Sequence, residues 1–501
     1  MLLRILCLSL LPQLLVCFKF LVYNGQFGNS HVNFMGKLAD ALVDAGYDVV
    51  VLSPVIWSSI KSAGTKKARV IEIPQCEEAS TMEAWLASDS GALRSSWDDQ
   101  SIFSQLKDFR RLLTAWTAHC NATLNTPSLM ESLKAEKFDV ALAEPLCYCG
   151  YGIFHALGIE KTAVTISMSA FDGGFAYKQV AAQLAYVPAT MSGLLSDRMT
   201  FAERLWNTIA YFTMANYNDG NMPFYDEVFQ KFLPGMPLLE NLLADSSLVF
   251  MNYEPFLDFP TVMSHRIVDI GGISVPPTHS PLNETWSAIL NLRKHTVLMS
   301  FGTFMQAYLT PEQYRNTIVQ TFKKFSDVTF IVKYEKPEHG LSRDAENIVE
   351  VSWAPQTDLL NDPRLTAFIT HGGIGSTMES AYAAIPLVVI PVGGDQMRNA
   401  RGIERNGRGI VVSKAELVAE GPLEEAIREV IEGSRLRDNA LRIKKLLLDR
   451  PFKPKEIFVR QMEFLARHGP FPQLQHHGRE LNFFQYYLID VFAFILAITI
   501  L

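Results

Sequence analysis

The feature that most constrains this chain is a pattern of apolar strand, glycine-bearing loop and amphipathic helix, which appears near its start and begins again in its second half. Phe20 to Tyr23 is a short apolar run, and Asn24 to Ser30, with Gly25 and Gly28, reads as a loop. From His31 the residues Val32, Phe34, Met35, Leu38, Ala39, Leu42 and Val43 recur at helical spacing, and Gly46 stands where a helix stops. Tyr47 to Leu52 reads as a buried strand. Such a unit predicts a parallel sheet with a functional loop at the carboxyl end of its first strand. Further strands are expected at Phe138 to Ala143 and Thr162 to Ile166, and the aromatic, Met-rich stretch Phe171 to Phe232 reads as irregular.

Pro276-Pro277 with nearby Ser and Thr marks a linker, after which the pattern restarts. Strands are expected at Thr296 to Phe301, Val328 to Lys333, Ile348 to Val351, Leu365 to Thr370 and Leu387 to Ile390. Thr310-Pro311-Glu312-Gln313 reads as a capping box opening a helix. The expected division is a leader at 1–18, a first α/β domain at 19–275, a linker at 276–295 and a second α/β domain at 296–450. A crossing helical and juxtamembrane segment at 451–481 and an apolar anchor at 482–501 complete it. Two such halves predict a ligand in the cleft between them.

The net charge of −7 offers no basic stripe for a phosphate polymer, which argues against nucleic acid as a partner. Met1 to Phe18 has one Arg and then a short apolar run, the pattern of a secretory signal. Asn482 to Leu501 is apolar but interrupted by Asp490; it reads as membrane attachment with its topology open. With the leader removed, Cys76, Cys120, Cys147 and Cys149 remain, too few for a disulfide scaffold and at no metal-finger spacing. Asn121 and Asn283 head N-glycosylation triplets, which suits a lumenal chain.

The chemistry concentrates between Trp353 and Asn399. The expected strand Leu365 to Thr370 runs into His371-Gly372-Gly373, and Gly375-Ser376-Thr377 opens a helix. Close backbone approach, free N–H groups at a helix start and the side chains of His371 and Ser376 suit a phosphate or diphosphate. Glu379 lies three residues past Ser376 on the same face, where a carboxylate can accept from a ribose diol. Trp353 offers a flat surface for a base, Gln356 an amide for its edge or for a ribose hydroxyl, and Asp395-Gln396 a pair for sugar hydroxyls. Taken singly, Trp353 reads equally as core, Glu379 as a solvated helix residue and Asp395 as a helix N-cap. In order they describe base, ribose, diphosphate and sugar.

These residues at these spacings resemble the donor-binding motif of the UDP-glycosyltransferases, and the likeness extends over nearly the whole chain. It includes the His31 loop, Ser300-Phe301-Gly302-Thr303 and both apolar ends. The stretch QFGNSHVNFMGKLADAL looks most like nematode members. The resemblance implies a GT-B fold, with two Rossmann-like parallel-sheet domains facing a cleft. It places Trp353 on uracil, Gln356 near base and ribose, and Glu379 on the ribose hydroxyls. Thr303, His371, Gly373 and Ser376 fall at the diphosphate, and Asp395 and Gln396 at the sugar. Gly375 stands where many members have Asn, and Ala384 where Gly is common, read as a packing change.

The resemblance also implies that His31 is the general base and that an orienting acid follows the Phe138 strand. That position is Glu144 here, one methylene longer than the usual Asp. Asp139 lies at the other end of that strand. The implied reaction is transfer of glucose or glucuronate from a UDP-sugar to a hydroxyl of a small lipophilic acceptor, with inversion and with neither metal nor other cofactor. Glucose is favoured by the nematode-like character. The acceptor pocket is expected within Phe171 to Phe232. The implied location is the endoplasmic reticulum membrane with lumenal domains, or secretion if the anchor does not insert; a homo-oligomer is compatible. The competing class is a non-catalytic UDP-sugar or lipophile binder. A dinucleotide oxidoreductase would need a Gly-x-Gly-x-x-Gly that Asn24 to Ser30 lacks.

Overall fold

The structure is a computed structural model that describes residues 18–88, 91–97 and 102–500. Apart from Phe18, the expected leader lies outside the described residues. The first sheet contains β1 (Lys19–Tyr23), β2 (Asp48–Pro54), β3 (Arg69–Ile73), β4 (Val140–Ala143), β5 (Thr162–Ile166), β6 (Leu248–Met251) and β7 (Ile267–Asp269), in the order β3-β2-β1-β4-β5-β6-β7. The second contains β8 (His295–Ser300), β9 (Val328–Lys333), β10 (Ile348–Val351), β11 (Leu365–Thr370), β12 (Leu387–Val389) and β13 (Gly409–Val411), in the order β10-β9-β8-β11-β12-β13. All neighbouring strands are parallel, with Tyr23 beside Leu52 and Ala143 in the first sheet and Thr370 beside Ser300 and Val389 in the second. Central strands such as Thr162–Ile166 and Val328–Lys333 are buried throughout, as sheets covered on both faces require.

Helix α1 (Asn29–Asp44) joins β1 to β2 and packs Phe34, Met35, Leu38 and Leu42 into one cluster with Val22 and Val51. Its position is set by backbone contact: a Cβ on Gly36 would lie 2.0 Å from the carbonyl carbon of Gly64. Asp40 secures the same loop by accepting from the Lys66 and Lys67 N–H groups at 3.0 Å each. The helix that carries His31 is therefore seated without slack.

Helices α2 (Ile102–Leu124) and α3 (Cys149–Ala156) are joined by a disulfide, Cys120 to Cys149, that the cysteine spacing did not reveal. The stretch Phe171 to Phe232 is less irregular than expected: α4 (Phe201–Asp219) opens with a Thr200–Glu203 capping box, and a further helix spans Met222–Phe232. Its pattern misleads because α4 buries polar residues and exposes apolar ones. The linker contains a short helix, Glu284–Leu290, capped by the Asn283 side chain. The capping box expected at Thr310 does not form: the helix spans Glu312–Lys323, Pro311 is its N-cap, and the Thr310 hydroxyl is buried without a hydrogen-bond partner among the described residues.

In the second half, α5 (Ile374–Ala383) follows β11 and α6 (Gln396–Arg405) follows β12. Helix α7 (Pro454–His468) returns to the first sheet, where Phe458, Met462 and Leu465 join Phe20 and Val22, and the Phe458 ring meets Phe250 edge-on at 4.9 Å. The expected anchor becomes a short turn of helix, Phe483–Tyr486, and α8 (Ile489–Ile500). No helix among the described residues is long and apolar enough to cross a membrane. Twelve helical residues rise about 18 Å, against about 30 Å of hydrocarbon.

The two halves meet through α6. Arg398 forms a buried ion pair with Asp258 at 2.8 Å, and Asn406 donates to the Leu257 carbonyl at 2.9 Å. At the end of α5, Ala384 sits in the left-handed region at φ 63°, so its presence is a backbone matter, not the packing change expected. A Cβ there is strained. Ala384→Gly should raise stability by about 1 kcal/mol, seen as an increase in Tm; an unchanged or lower Tm contradicts the strain.

Candidate active site

Parallel sheets open at the carboxyl ends of their strands, and the opening is widest where connections depart in opposite directions. In the first sheet that point lies between β1 and β4, which are neighbours while their chains run to opposite sides. His31 lies in the first turn of α1, after β1; Glu144 directly follows β4; Ser167 directly follows β5. Three adjacent strand ends thus deliver three polar side chains to one place.

The His31 Nδ1 lies 2.8 Å from Glu144 Oε2 and 2.7 Å from the Ser167 hydroxyl. A carboxylate only accepts, so the proton belongs on Nδ1 and the Nε2 lone pair is left for the cleft. The longer Glu144 side chain is held by the Ser167 N–H, which donates to Oε1 at 2.9 Å. Asn252 fixes Ser167 in turn by donating to its carbonyl at 2.8 Å. Glu144 is 4% exposed and the His31 side chain 20% exposed, so the acid is buried and the imidazole reaches solvent. Asp139 lies elsewhere, accepting from the Lys19 N–H.

Burial opposes charge on both partners, yet their mutual attraction prevails. For His31, burial lowers the pKa, but the charge and hydrogen bond of Glu144 and the charge of Asp395 raise it above the usual imidazole value. For Glu144, burial raises the pKa, while His31 and the Ser167 hydrogen bonds bring it below the usual carboxylate value. Asp395 comes from the other domain, so the two halves sense each other across the cleft.

The second sheet repeats the plan between β8 and β11. Gly302, after β8, has φ 82°, and a Cβ on it would lie 2.8 Å from His371 Cε1. Only glycine lets the loop close over that ring. Lys333, the last residue of β9, is buried and donates to the Gly302 carbonyl while pairing with Glu335, both at 2.8 Å. Burial, aided by the Lys333 charge, drives the His371 pKa down to about 4, so this imidazole is neutral. Its Nδ1 is buried with no partner among the described residues. Thr303 is exposed beside it, and Gly373 caps α5 with an extended backbone. Gly375 faces open space, where a side chain would fit.

Gln356 draws the next residues together, donating to Glu379 Oε2 at 2.8 Å and to the Ser376 hydroxyl at 3.2 Å. Burial raises the Glu379 pKa. Trp353 is 68% exposed, a free indole face and not core. Asp395 occupies the N-cap position of α6, but its carboxylate makes no capping hydrogen bond and instead accepts from Asn399 Nδ2 at 2.9 Å. The same amide donates to the Gly372 carbonyl at 3.0 Å, and Ser169 of the first domain donates to Asn399 Oδ1 at 3.2 Å. Gln396 Oε1 accepts from the Val392 and Gly393 N–H groups, shaping the loop before α6. Its amide group is what remains for a ligand.

Ser167, Lys333 and Asn399 escaped the sequence reading. Each had a positional signal: the first follows a strand as Glu144 does, the second ends one, and the third lies one helical turn past Asp395. Beside the cleft, a cavity of about 90 Å³ is lined by Ser169, Phe171, Lys178, Leu184, Tyr211 and Arg398. It draws on the first part of the stretch expected to form the acceptor pocket and on Tyr211, but not on Met222–Phe232. Both triplet asparagines are exposed; Asn283 precedes a short helix, and Asn121 lies within α2 beside the bonded Cys120, with Thr123 of its triplet buried.

Two facing parallel-sheet domains with this cleft form a fold of the GT-B type, and solved structures share that fold. The chain is similar to CalG4, the calicheamicin glycosyltransferase (TM-score 0.60, 16% identity, 90% of this chain and 100% of that one). It is similar also to Os79 from O. sativa in complex with UDP (TM-score 0.59, 20% identity, 90% and 100%). The UDP-glucoronosyl and UDP-glucosyl transferase family model matches residues 19–501, and the chain belongs to that family of enzymes. Among its relatives is ugt-48 of Caenorhabditis elegans, named for UDP-glucuronosyltransferase, 29% identical over 100% of this chain and 96% of that protein. Human UDP-glucuronosyltransferase 1A10 is 28% identical over 94% and 87%.

The burial of His371 makes a direct prediction. In an NMR titration its imidazole should stay unprotonated from pH 8 down to 5, consistent with a pKa of about 4; a midpoint near 6.5 contradicts the assigned environment.

Proposed function

We propose that the chain transfers a hexose from UDP-glucose or UDP-glucuronate to a hydroxyl of a small lipophilic acceptor, by a single displacement that inverts the α-linked donor to a β-glycoside. The observation that carries this reading is the His31–Glu144 bond of 2.8 Å facing Asp395 of the other domain. His31 Nε2 takes the acceptor's proton as its oxygen attacks the anomeric carbon. Glu144 holds the tautomer and balances the imidazolium that forms. Asp395 and the Gln396 amide receive the sugar hydroxyls.

Charge developing on the departing diphosphate is met by His371, Ser376, Thr303 and the N–H groups at the start of α5. A neutral His371 serves here as a hydrogen-bond donor. Trp353 stacks on the uracil. Gln356 and Glu379, which bond each other at 2.8 Å, present their remaining polar groups to the ribose hydroxyls. The acceptor lies along the Ser169–Tyr211 cavity and the cleft. On this reading the active domains work in the lumen of the endoplasmic reticulum, on its membrane.

The relatives are named for glucuronate transfer, while the sugar contacts assigned to Asp395 and Gln396 serve either hexose, so the donors must compete in one assay. With both donors and a hydroxylated aromatic acceptor, mass spectrometry should find a single glycoside mass predominating. His31→Ala should lower its turnover about 100- to 10,000-fold and leave the Kd for UDP nearly unchanged by calorimetry. Unchanged turnover removes His31 from the chemistry; equal loss of UDP binding denies the division of labour. UDP-sugar binding with no product in the unaltered protein favours a non-catalytic binder.

A further inference from the structure

The cavity beside the cleft is apolar over most of its wall, through Phe171, Leu184, Val187, Met251 and Met263, yet Lys178 and Arg398 also line it. Ser169, in the same wall, donates to Asn399, the residue that holds Asp395, so the cavity borders the place assigned to the donor sugar. An apolar pocket with a few charged groups selects a ligand by what those groups can bond.

Lys178 ends a short helix, Phe175–Lys178, and its ammonium donates to the Phe171 carbonyl at 2.5 Å. An ammonium has three donors, so this bond uses one of them. No carboxylate among the described residues pairs with it. Asp172 accepts from the Thr190 N–H at 2.8 Å and Asp219 from the Gly174 N–H at 2.9 Å, and both act on Lys178 only as charges at a distance. Lys333 and Arg450, by contrast, each hold a carboxylate directly, that of Glu335 and that of Glu254. Burial lowers the Lys178 pKa to about 8, the Arg398 charge acts in the same direction, and Asp172 and Asp219 oppose both, so the ammonium persists at neutral pH. A charge withdrawn from water without a contacting counter-ion is costly, and an anion bound beside it removes that cost.

Arg398 adds a second donor. Its two terminal nitrogens serve the Pro188 carbonyl and Asp258, while its Nε is buried with no partner among the described residues. The arginine as a whole is 3% exposed, so water does not serve this N–H freely. Lysine and arginine only donate, so the group they receive must accept, and the strongest acceptor beside an ammonium is a carboxylate.

We infer that the acceptor is an amphipathic acid whose apolar body fills this cavity, whose carboxylate pairs with Lys178 and accepts from Arg398 Nε, and whose hydroxyl is presented to His31. The inference rests on the placing of the acceptor in this cavity under the proposed function, and it names the acceptor's class. Lys178 is then a specificity-determining residue that takes no part in the transfer step.

The test separates binding from transfer. With the full chain saturated with UDP, calorimetry compares 3-phenylpropionate with 3-phenylpropionamide, which match in shape, differ in charge and have no hydroxyl to glycosylate. The acid should bind about tenfold tighter or more. Lys178→Met should erase that difference while keeping the Kd for UDP, and Lys178→Arg should retain most of it. Equal affinity of acid and amide for the unaltered chain overturns the proposal, as does an undiminished preference in Lys178→Met. In competition for transfer, 3-(4-hydroxyphenyl)propionate should have the higher kcat/KM than its amide; preference for the amide overturns the proposal. Tighter binding of the acid with no glycoside from either hydroxylated compound supports the anion site and contradicts the transfer reading instead.

Discussion

The structure depends on one topological constraint met twice. In each parallel sheet the strand order reverses beside the first strand, between β1 and β4 and between β8 and β11, and the loops leaving those points part to form a crevice. Side chains at strand ends therefore converge whatever their separation along the chain. His31 and Glu144 are 113 residues apart and meet at 2.8 Å. The second sheet likewise gathers Thr303, Lys333, His371 and Asp395 from four strands. Helix α6 then closes the cleft, since Arg398 and Asn399 bond the first domain from the turn that follows Asp395.

Environment then separates two chemically identical groups. His31 has a buried carboxylate against Nδ1, and its pKa rises despite burial. For His371, burial and the charge of Lys333 act in the same direction, and its pKa falls to about 4. One imidazole is able to carry a proton in turnover; the other is held neutral. Opposite shifts of like groups across a cleft are the usual mark of divided roles. The buried Glu144 carboxylate is tolerable only because His31 and Ser167 satisfy both its oxygens.

Periodicity revealed the elements that are apolar and bounded by glycine or proline. Thr162–Ile166, Val328–Lys333, Ile348–Val351 and Leu365–Thr370 fall where the sequence places them. It missed β3, Arg-Val-Ile-Glu-Ile at a largely exposed sheet edge; β6, a four-residue apolar run with neither glycine nor proline at its ends; and β7 and β13, which are only three residues long. It failed at Phe171 to Phe232 because α4 inverts the usual faces, so its pattern does not announce a water-facing helix. The donor segment was readable because its residues lie close together in sequence. Ser167, Lys333 and Asn399 were not, because their roles arise from bonds to partners that only the fold supplies. The Cys120–Cys149 link was hidden for the same reason.

The central claim is that Glu144 tunes His31 as a base, and the pH dependence of kcat/KM measures it most directly. Because a base works only when unprotonated and the pKa of His31 is raised, activity should climb with pH through an acid limb whose midpoint lies above 6.5. Glu144→Gln removes the attractive charge, so the limb should move to lower pH, with lower turnover on the plateau, while Glu144→Asp should keep it near its original place. An acid limb that stays where it was in Glu144→Gln would contradict the account.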